Sequence, residues 1–464
     1  MPVEFSPEKV GIAAMDFAGG HYATLLGQVD KWGEPGTTLD YGIGLHPSLH
    51  PMTLADQRPE IADLATAIDK HSRYVRTISD PIRRAPLEIS LRGLRSRLDV
   101  LTGESVSPSE MAYDAYNIEF PDAPYDDSWV GSYYEHEVLP LIPEKYFPDG
   151  IRTTENFLSA YTHFKNSYRL NVLRSSTGSK TEQEAKVADL GRFVARLIME
   201  RTKAKGVLTF DDVDAALESL IIKPVIDSPG GESGYFRFNA DAKPEDTVNW
   251  YTNEEPTPWE LLLSQTHELA GHYQEYTEKN AVAWQRGWTE WSVAGLYSPA
   301  AFFSEGVAQV IPRYLYPDAE TIRDTVLKIY EQAGQRFDEK GQEDILSLIK
   351  IHFLTEFNPE LELVRINANR KIEQVLGMPE GPDRETALED AKKYSQIMNL
   401  RSPEQAERRV KFMARYGGYA YVYPVSARAY WAWFEKHDQT PEAMLRLMRE
   451  PIVLGVNEEM PEIS

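Results

Sequence analysis

The chain has 464 residues, of which 42% are hydrophobic, enough for one large domain or two to three ordinary ones around a sizeable core. Seventy-two acidic residues against 49 basic ones leave a net charge of -23, a field that repels phosphate backbones, argues against a nucleic-acid partner and does not oppose a cation site. The absence of cysteine excludes disulfides, thiolate metal sites, iron–sulfur clusters and cysteine nucleophiles.

The opening, "MPVEFSPEKVGIAAMDFAGGHY", lacks a basic segment followed by a long apolar run. Nor does any stretch approach the roughly 18 apolar residues of a membrane span, so a cytoplasmic protein with no membrane partner is expected. In "GLHPSLHP", His46 and His50 stand four apart, but Pro47 and Pro51 push them out of helical conformation and predict a loop. "EHE" at Glu135–Glu137 predicts a solvated face, and the isolated His21, His71, His163, His352 and His437 predict structural roles.

Helix-start signals dominate the rest of the chain. Capping boxes are expected at Ser107–Glu110, Thr181–Glu184, Thr257–Glu260 and Ser402–Gln405, with Pro108, Pro258 and Pro403 at first helical positions. Residues 182–205 carry the apolar stripe Val187, Leu190, Phe193, Val194, Leu197 and Ile198, and residues 319–337 have a similar helical period. The best strand signal is "GYFRFNA" (Gly234–Ala240), where Phe236 and Phe238 alternate with Arg237 and Asn239. The prediction is a mainly α single domain over residues 1–464. Residues 1–233 form a helical N-terminal half, and residues 234–464 hold the site and a small β element near residues 234–253.

The helix expected from Thr257 contains "THELAGHYQEY", with His267, Glu268 and His272. Zinc hydrolases use two histidines four apart, which on an α-helix diverge by only about 40°. Here the interval is five, and an ideal helix would set the imidazoles about 140° apart. A π-bulge, eased by Gly271, returns both rings to one side, so overwinding or a bulge between His267 and His272 is predicted. Glu305, in the apolar "AAFFSEGVAQV", is the candidate third ligand and Glu290 the reserve. "ARYGGYAYVYPVSARAY" (Ala414–Tyr430) adds five tyrosines and two arginines, phenol donors for an oxyanion and guanidinium groups for a carboxylate.

These segments, over roughly residues 234–430, distantly resemble the bacterial zinc-peptidase-like family known as domain of unknown function 885. That family has a His-Glu-x-x-Pro-Gly-His-His helix, then Glu-Gly-Trp-Ala, then a late Pro-Gly-Gln-Ala-x-x-Tyr. The counterparts here are "HELAGHY", "SEGVA" and "YGGYAYVY". Ala270 replaces the proline, Tyr273 the second histidine, Val307 the tryptophan and Tyr419 the glutamine, and the first motif is one residue shorter. His-Glu-x-x-Gly-His is also similar to dipeptidyl peptidase III, which has the same five-residue interval.

The resemblance implies a helical zinc-peptidase-like domain with a deep cleft. It implies one Zn²⁺ on His267, His272 and Glu305, Glu268 as general base, and Tyr423 as the late tyrosine. The expected reaction is attack of metal-activated water on an amide of a short peptide or small substrate. Tyr423, or else Tyr419 or Tyr421, donates to the oxyanion, with Tyr423 held extended by Pro424. Arg415 or Arg428 holds a substrate carboxylate, and the Phe236–Phe238 strand pairs with an extended peptide. Two other readings stand beside this metallopeptidase: a metal-dependent enzyme acting on a non-peptide metabolite by hydrolysis or C–N cleavage, and a catalytically silent helical binding protein.

Overall fold

Capping and apolar periodicity shape most of the molecule. The structure is a computed structural model. It describes residues 61–118, 127–150, 156–173, 178–218, 220–226, 234–238, 244–250, 255–279 and 294–450, with isolated positions 22, 25, 26, 28, 29, 39, 40, 152, 288 and 452. Chain order begins with β1 (Leu39–Asp40), α1 (Ile61–Val75), α2 (Pro81–Leu101), α3 (Pro108–Tyr116), α4 (Asp127–Tyr133), α5 (Phe157–Asn166), α6 (Lys180–Ala204) and α7 (Val213–Glu218). A sheet region follows, of β2 (Ile221–Ile226), β3 (Gly234–Phe238) and β4 (Pro244–Trp250), leading into α8 (Pro258–Gln265). The remainder is β5 (Ala294–Gly295), α9 (Pro299–Leu315), α10 (Ala319–Gln332), α11 (Glu339–Glu356), α12 (Pro359–Leu376), α13 (Pro382–Met398), α14 (Pro403–Tyr416), α15 (Val422–Lys436) and α16 (Pro441–Arg449).

The domain is mainly α-helical. Capping boxes form at Ser107, Thr257 and Ser402 as predicted. The fourth is displaced: Ser179, not Thr181, caps α6 and pairs with Glu182, because the same spacing of hydroxyl to carboxylate recurs two residues earlier. On α6 Val187, Leu190, Val194 and Ile198 are buried, and Phe193 and Leu197 pack half-buried against the same core. That core runs from Met111 to Ile452 and so draws on both halves of the sequence. A smaller cluster joins α1 and α2 through Leu64, Ile68, Leu94 and Leu98.

The β element is larger than expected. β3 and β4 pair antiparallel, with Phe236 opposite Asp246, but β2 also joins, parallel to β4, giving the order β2-β4-β3. Pro224 weakens the strand signal of β2 and suits the edge position it occupies. β3 takes the other edge and lies beside the histidine segment.

Two glycines set the close packing around the site. α9 is apolar on nearly all sides and buried along most of its length, as a central helix must be. It is flanked by the histidine segment and α15. A Cβ on Gly271 would fall 2.7 Å from Ala308 Cα, and one on Gly306 would fall 2.0 Å from the Tyr430 ring. Gly271 is therefore needed for the approach of α9. It also lies inside the non-α stretch Thr266–Tyr273, where the sequence placed the helix distortion.

Candidate metal centre

The unusual interval is absorbed in the helix itself. Directly after α8, residues Thr266–Tyr273 wind as a π-helix. With i→i+5 bonding, roughly 4.4 residues complete a turn, so five residues return to within about 50° of the start. The two imidazoles consequently share a side, their ring centroids 4.8 Å apart and nearly perpendicular. Ligand atoms of His267, Glu268 and His272 all lie within 4.8 Å of one another.

A second carboxylate reaches the pair from α9. Glu305 Oε2 is 3.4 Å from His267 Nε2 and 3.8 Å from His272 Nε2, while Glu268 Oε1 is 4.0 Å from His267 Nε2. Donors at about 2.05 Å from a tetrahedral ion would be separated by about 3.3–3.4 Å, close to the first of these spacings. Among the described residues Glu305 Oε2 is buried with no hydrogen bond of good geometry, its polar neighbours being the two imidazoles, an expensive condition for a carboxylate oxygen unless a cation meets it. Its other oxygen, Oε1, accepts from the Tyr419 hydroxyl at 2.6 Å. Of the two acids, Glu305 thus faces both histidines, and Glu268 lies alongside with its carboxylate nearer His267.

The histidine behind this face is held by a chain of polar groups that the sequence did not advertise. His272 Nδ1 is 2.9 Å from Ser304 Oγ, which donates to Glu275 Oε2 at 2.8 Å. Since the single serine proton goes to the carboxylate, Nδ1 must be the donor to Ser304, leaving the Nε2 lone pair directed at the cluster. Glu275 is fully buried and ion-paired with buried Lys279.

Electrostatics distinguish the histidines. Burial lowers His272 to about 3, reinforced by His267 and Lys279 and opposed by Glu305, so it remains neutral in ordinary buffers. Burial also acts to lower His267, but the contact with Glu305 and the charges of Glu268 and Glu305 outweigh it and raise this imidazole. Burial pushes Glu305 up, yet His267, His272 and Tyr419 together hold it below the usual carboxylate range.

The late aromatic segment meets this cluster in a way that differs from expectation. Gly417–Tyr421 is a 3₁₀ turn, and Tyr423 lies in the first turn of α15. The predicted extended conformation of Tyr423 is corrected: Pro424 falls where a helix has no acceptor for its N–H, so it does not break the turn. Tyr419, the lesser candidate as donor, is the residue bonded to Glu305. The Tyr423 hydroxyl donates to the Tyr419 oxygen over a long 3.5 Å. Burial first, then Glu305 and Glu268, oppose ionisation of Tyr423, while Tyr419 and Arg409 favour it. Tyr423 is accordingly a neutral phenol beside both carboxylates.

Arg428 donates to Pro359 O at 2.7 Å and ties α15 to the start of α12. The Arg415 guanidinium lies over the Tyr416 ring at 5.1 Å. Phe236 and Phe238 lie on the edge strand β3. Tyr421 donates to Glu373, which also accepts from Ser109. Glu290, His21, His46 and His50 lie outside the described residues. His437 stacks on Trp433, and Glu135, His136 and Glu137 are exposed, as their sequence context predicted. A hollow of about 860 Å³ between α1 and α2, lined by Asp69, Arg73, Glu88 and Arg92 among others, shares no residue with the cluster. Among the described residues no helix is long and apolar enough to cross a membrane.

The fold and the cluster define a mainly helical protein with a buried two-histidine, two-glutamate centre. No family model and no curated protein matches the chain. Among solved structures it is similar to one described as "the putative lipoprotein from Colwellia psychrerythraea", at 10% identity over 96% of each chain and a TM-score of 0.39. At that score the likeness carries neither fold nor function.

Proposed function

We propose that the protein is a zinc-dependent hydrolase of amide bonds in short peptides or small substrates. The observation that carries this reading is Glu305 Oε2, buried, without a well-formed hydrogen bond among the described residues, and facing Nε2 of both His267 and His272. Two imidazoles and one carboxylate are a ligand set of catalytic zinc, which keeps a fourth position open. The resemblance to the zinc-peptidase-like domain of unknown function 885, with its ordered motifs, supports the same assignment.

Zinc bound there would lower the pKa of a water to about 7 and polarise an amide carbonyl. The residues of this chain supply the remainder. Glu268, adjacent to His267 and beside the Tyr419-bonded Glu305, takes a proton from the nucleophile and returns it to the departing amine. Tyr423, kept neutral by burial and neighbouring carboxylates, donates to the developing oxyanion. Tyr419 and the Ser304–Glu275 pair orient Glu305 and His272. The edge strand β3, running beside the π-helix, offers backbone groups to an extended substrate.

Elemental analysis of protein purified without added metal tests this reading, together with Glu268→Gln. The expected result is about one zinc per chain in both proteins. Turnover of a short-peptide pool should fall roughly 100- to 10,000-fold in the variant. Full zinc occupancy in His267→Ala, or parent-like turnover in Glu268→Gln, would sink it. Tyr273 and Tyr419, which depart from the family pattern, also keep a non-peptide amide within the same chemistry.

A further inference from the structure

Behind His272 the structure buries a complete ion pair. Glu275 and Lys279 stand one helical turn apart on the stretch that continues the π-helical segment, and they are 0% and 3% exposed. Two charges taken out of water are costly, and apolar side chains of similar size often hold a core equally well. Stability alone is therefore a weak reason for this pair. Lys279 reaches His272 by two routes. Along the first, Lys279 pairs with Glu275, Ser304 Oγ donates to Glu275 Oε2 at 2.8 Å, and His272 Nδ1 lies 2.9 Å from Ser304 Oγ. Along the second, the Lys279 ammonium lies 5.9 Å from the centre of the Tyr276 ring, which stacks on the His272 imidazole at 5.4 Å and 26°. The same ammonium lies 4.8 Å from the ring of Phe303, the residue before Ser304 on α9.

The direction of the hydrogen-bonded route depends on the charge of Glu275. A carboxylate can only accept, so it takes the Ser304 proton, and His272 Nδ1 must donate to Ser304. A neutral carboxyl can donate instead. Ser304 would then accept from Glu275 and give its own proton to Nδ1, and the imidazole, still neutral, would carry its proton on Nε2. Such a histidine turns an N–H, not a lone pair, toward His267 and Glu305 and cannot serve as a ligand there. Burial pushes Glu275 above the usual carboxylate range, with a lesser push from Glu305. Lys279, ahead of Ser304, is the strongest influence holding it down. The pair is neutral as a whole, so it sets a direction without adding net charge behind the cation site.

We propose that Lys279 is a positioning residue of the metal centre, fixing through Glu275 and Ser304 the His272 tautomer that presents Nε2 to a cation. The inference deepens the zinc-hydrolase reading and rests on it for the identity of the ion. The tautomer itself is a property of the metal-free protein and can be measured there. Lys279 acts only through other side chains: the hydrogen-bonded route sets the imidazole proton, and the Tyr276 stack holds the ring plane.

The test is Lys279→Met, which keeps an unbranched apolar stem and removes the charge. Nitrogen chemical shifts of the metal-free full-length chain at neutral pH should show His272 as the Nδ1–H tautomer in the parent and as Nε2–H in the variant. Zinc affinity, measured by competition with a chromophoric chelator, should fall ~10-fold or more. If Lys279→Met fails to fold, the double variant Glu275→Gln/Lys279→Met takes its place, since it leaves no charge at either position. With no cation to fix the new amide, it should show both tautomers and the same loss of affinity. An ion pair that only packs would change stability and leave the His272 tautomer alone. Retention of a single Nδ1–H tautomer in the folded variant overturns the positioning role, as does parent-like zinc affinity. A parent that takes up no zinc but whose His272 tautomer depends on Lys279 would overturn only the hydrolase reading. Zinc bound by parent and variant alike, with one tautomer in both, would overturn only the positioning role.

Discussion

The Tyr419 hydroxyl donates to Glu305 Oε1 at 2.6 Å, and this bond determines which carboxylate oxygen faces the histidines. Without it the glutamate is free to rotate between its two oxygens. A hydrogen bond to a charged group contributes about 1.5–3 kcal/mol. Tyr419→Phe should lower zinc affinity ~10- to 100-fold, as loss of a partner to a ligand commonly does, while the domain stays folded. Competition with a chromophoric chelator measures it. An unchanged affinity would reduce Tyr419 to packing.

Tyr423 should behave in the opposite manner. Among the described residues its hydroxyl bonds to none of His267, His272 and Glu305, and its 3.5 Å contact with Tyr419 is too weak to commit its proton. Tyr423→Phe is expected to retain zinc affinity and substrate KM but lose ~100-fold or more in kcat. The pair of tyrosine variants separates ligand orientation from oxyanion donation. Equal kcat in Tyr423→Phe and parent would assign this residue to the aromatic cluster with Phe412 and Tyr419.

Ser304 links His272 to Glu275, and its removal should release the imidazole. Ser304→Ala leaves Glu275 paired with Lys279 but takes away the acceptor of the His272 Nδ1 proton. The expectation is a ~10-fold or greater loss of zinc affinity. Nitrogen chemical shifts of metal-free protein provide an independent reading. The parent should show His272 as the Nδ1–H tautomer, and the variant a mixture of tautomers. A single unchanged tautomer in Ser304→Ala would refute the relay.

What the sequence made legible here was local. The five-residue interval from His267 to His272 is awkward for an α-helix, and that conflict correctly implied the π-helix, since only backbone geometry was involved. Caps at Thr257 and Ser402 were legible for the same reason. The Ser179 cap was missed because two overlapping hydroxyl–carboxylate pairs compete there and only packing chooses between them. Across the chain, the approach of Glu305 to His267 and His272 was expected from the resemblance, and the other relationships were not legible. Ser304 stands next to Glu305 and Glu275 three residues after His272, yet nothing in either position shows that their side chains meet. β2 pairs with a strand about twenty residues later, and its proline concealed it.

The last prediction concerns a buried acid that fastens the sheet to the histidine helix. Asp246, on β4, is almost fully buried and accepts from Gln265 Nε2 at 2.9 Å, immediately before the π-helical segment. Among the described residues its Oδ1 and the Gln265 Oε1 are both buried without a hydrogen bond. Burial lifts this carboxyl from 3.8 to about 7, partly offset by Gln265. The unfolded chain therefore releases the proton near pH 4, whereas the folded protein keeps it to about pH 7. Over that interval the folded state binds more protons, so rising pH costs stability. At ~1.4 kcal/mol per pH unit, this group alone removes on the order of 4 kcal/mol by pH 8. Asp246→Asn abolishes the charge, and the new amide can accept from Gln265 Nε2 and donate to Gln265 Oε1, pairing both orphaned atoms. Urea unfolding of parent and variant should show an advantage for Asp246→Asn that grows by roughly 2–3 kcal/mol between pH 5 and pH 8. A difference between the two proteins that stayed constant with pH would mean that Asp246 ionises alike in both states, and the buried-acid account would fail.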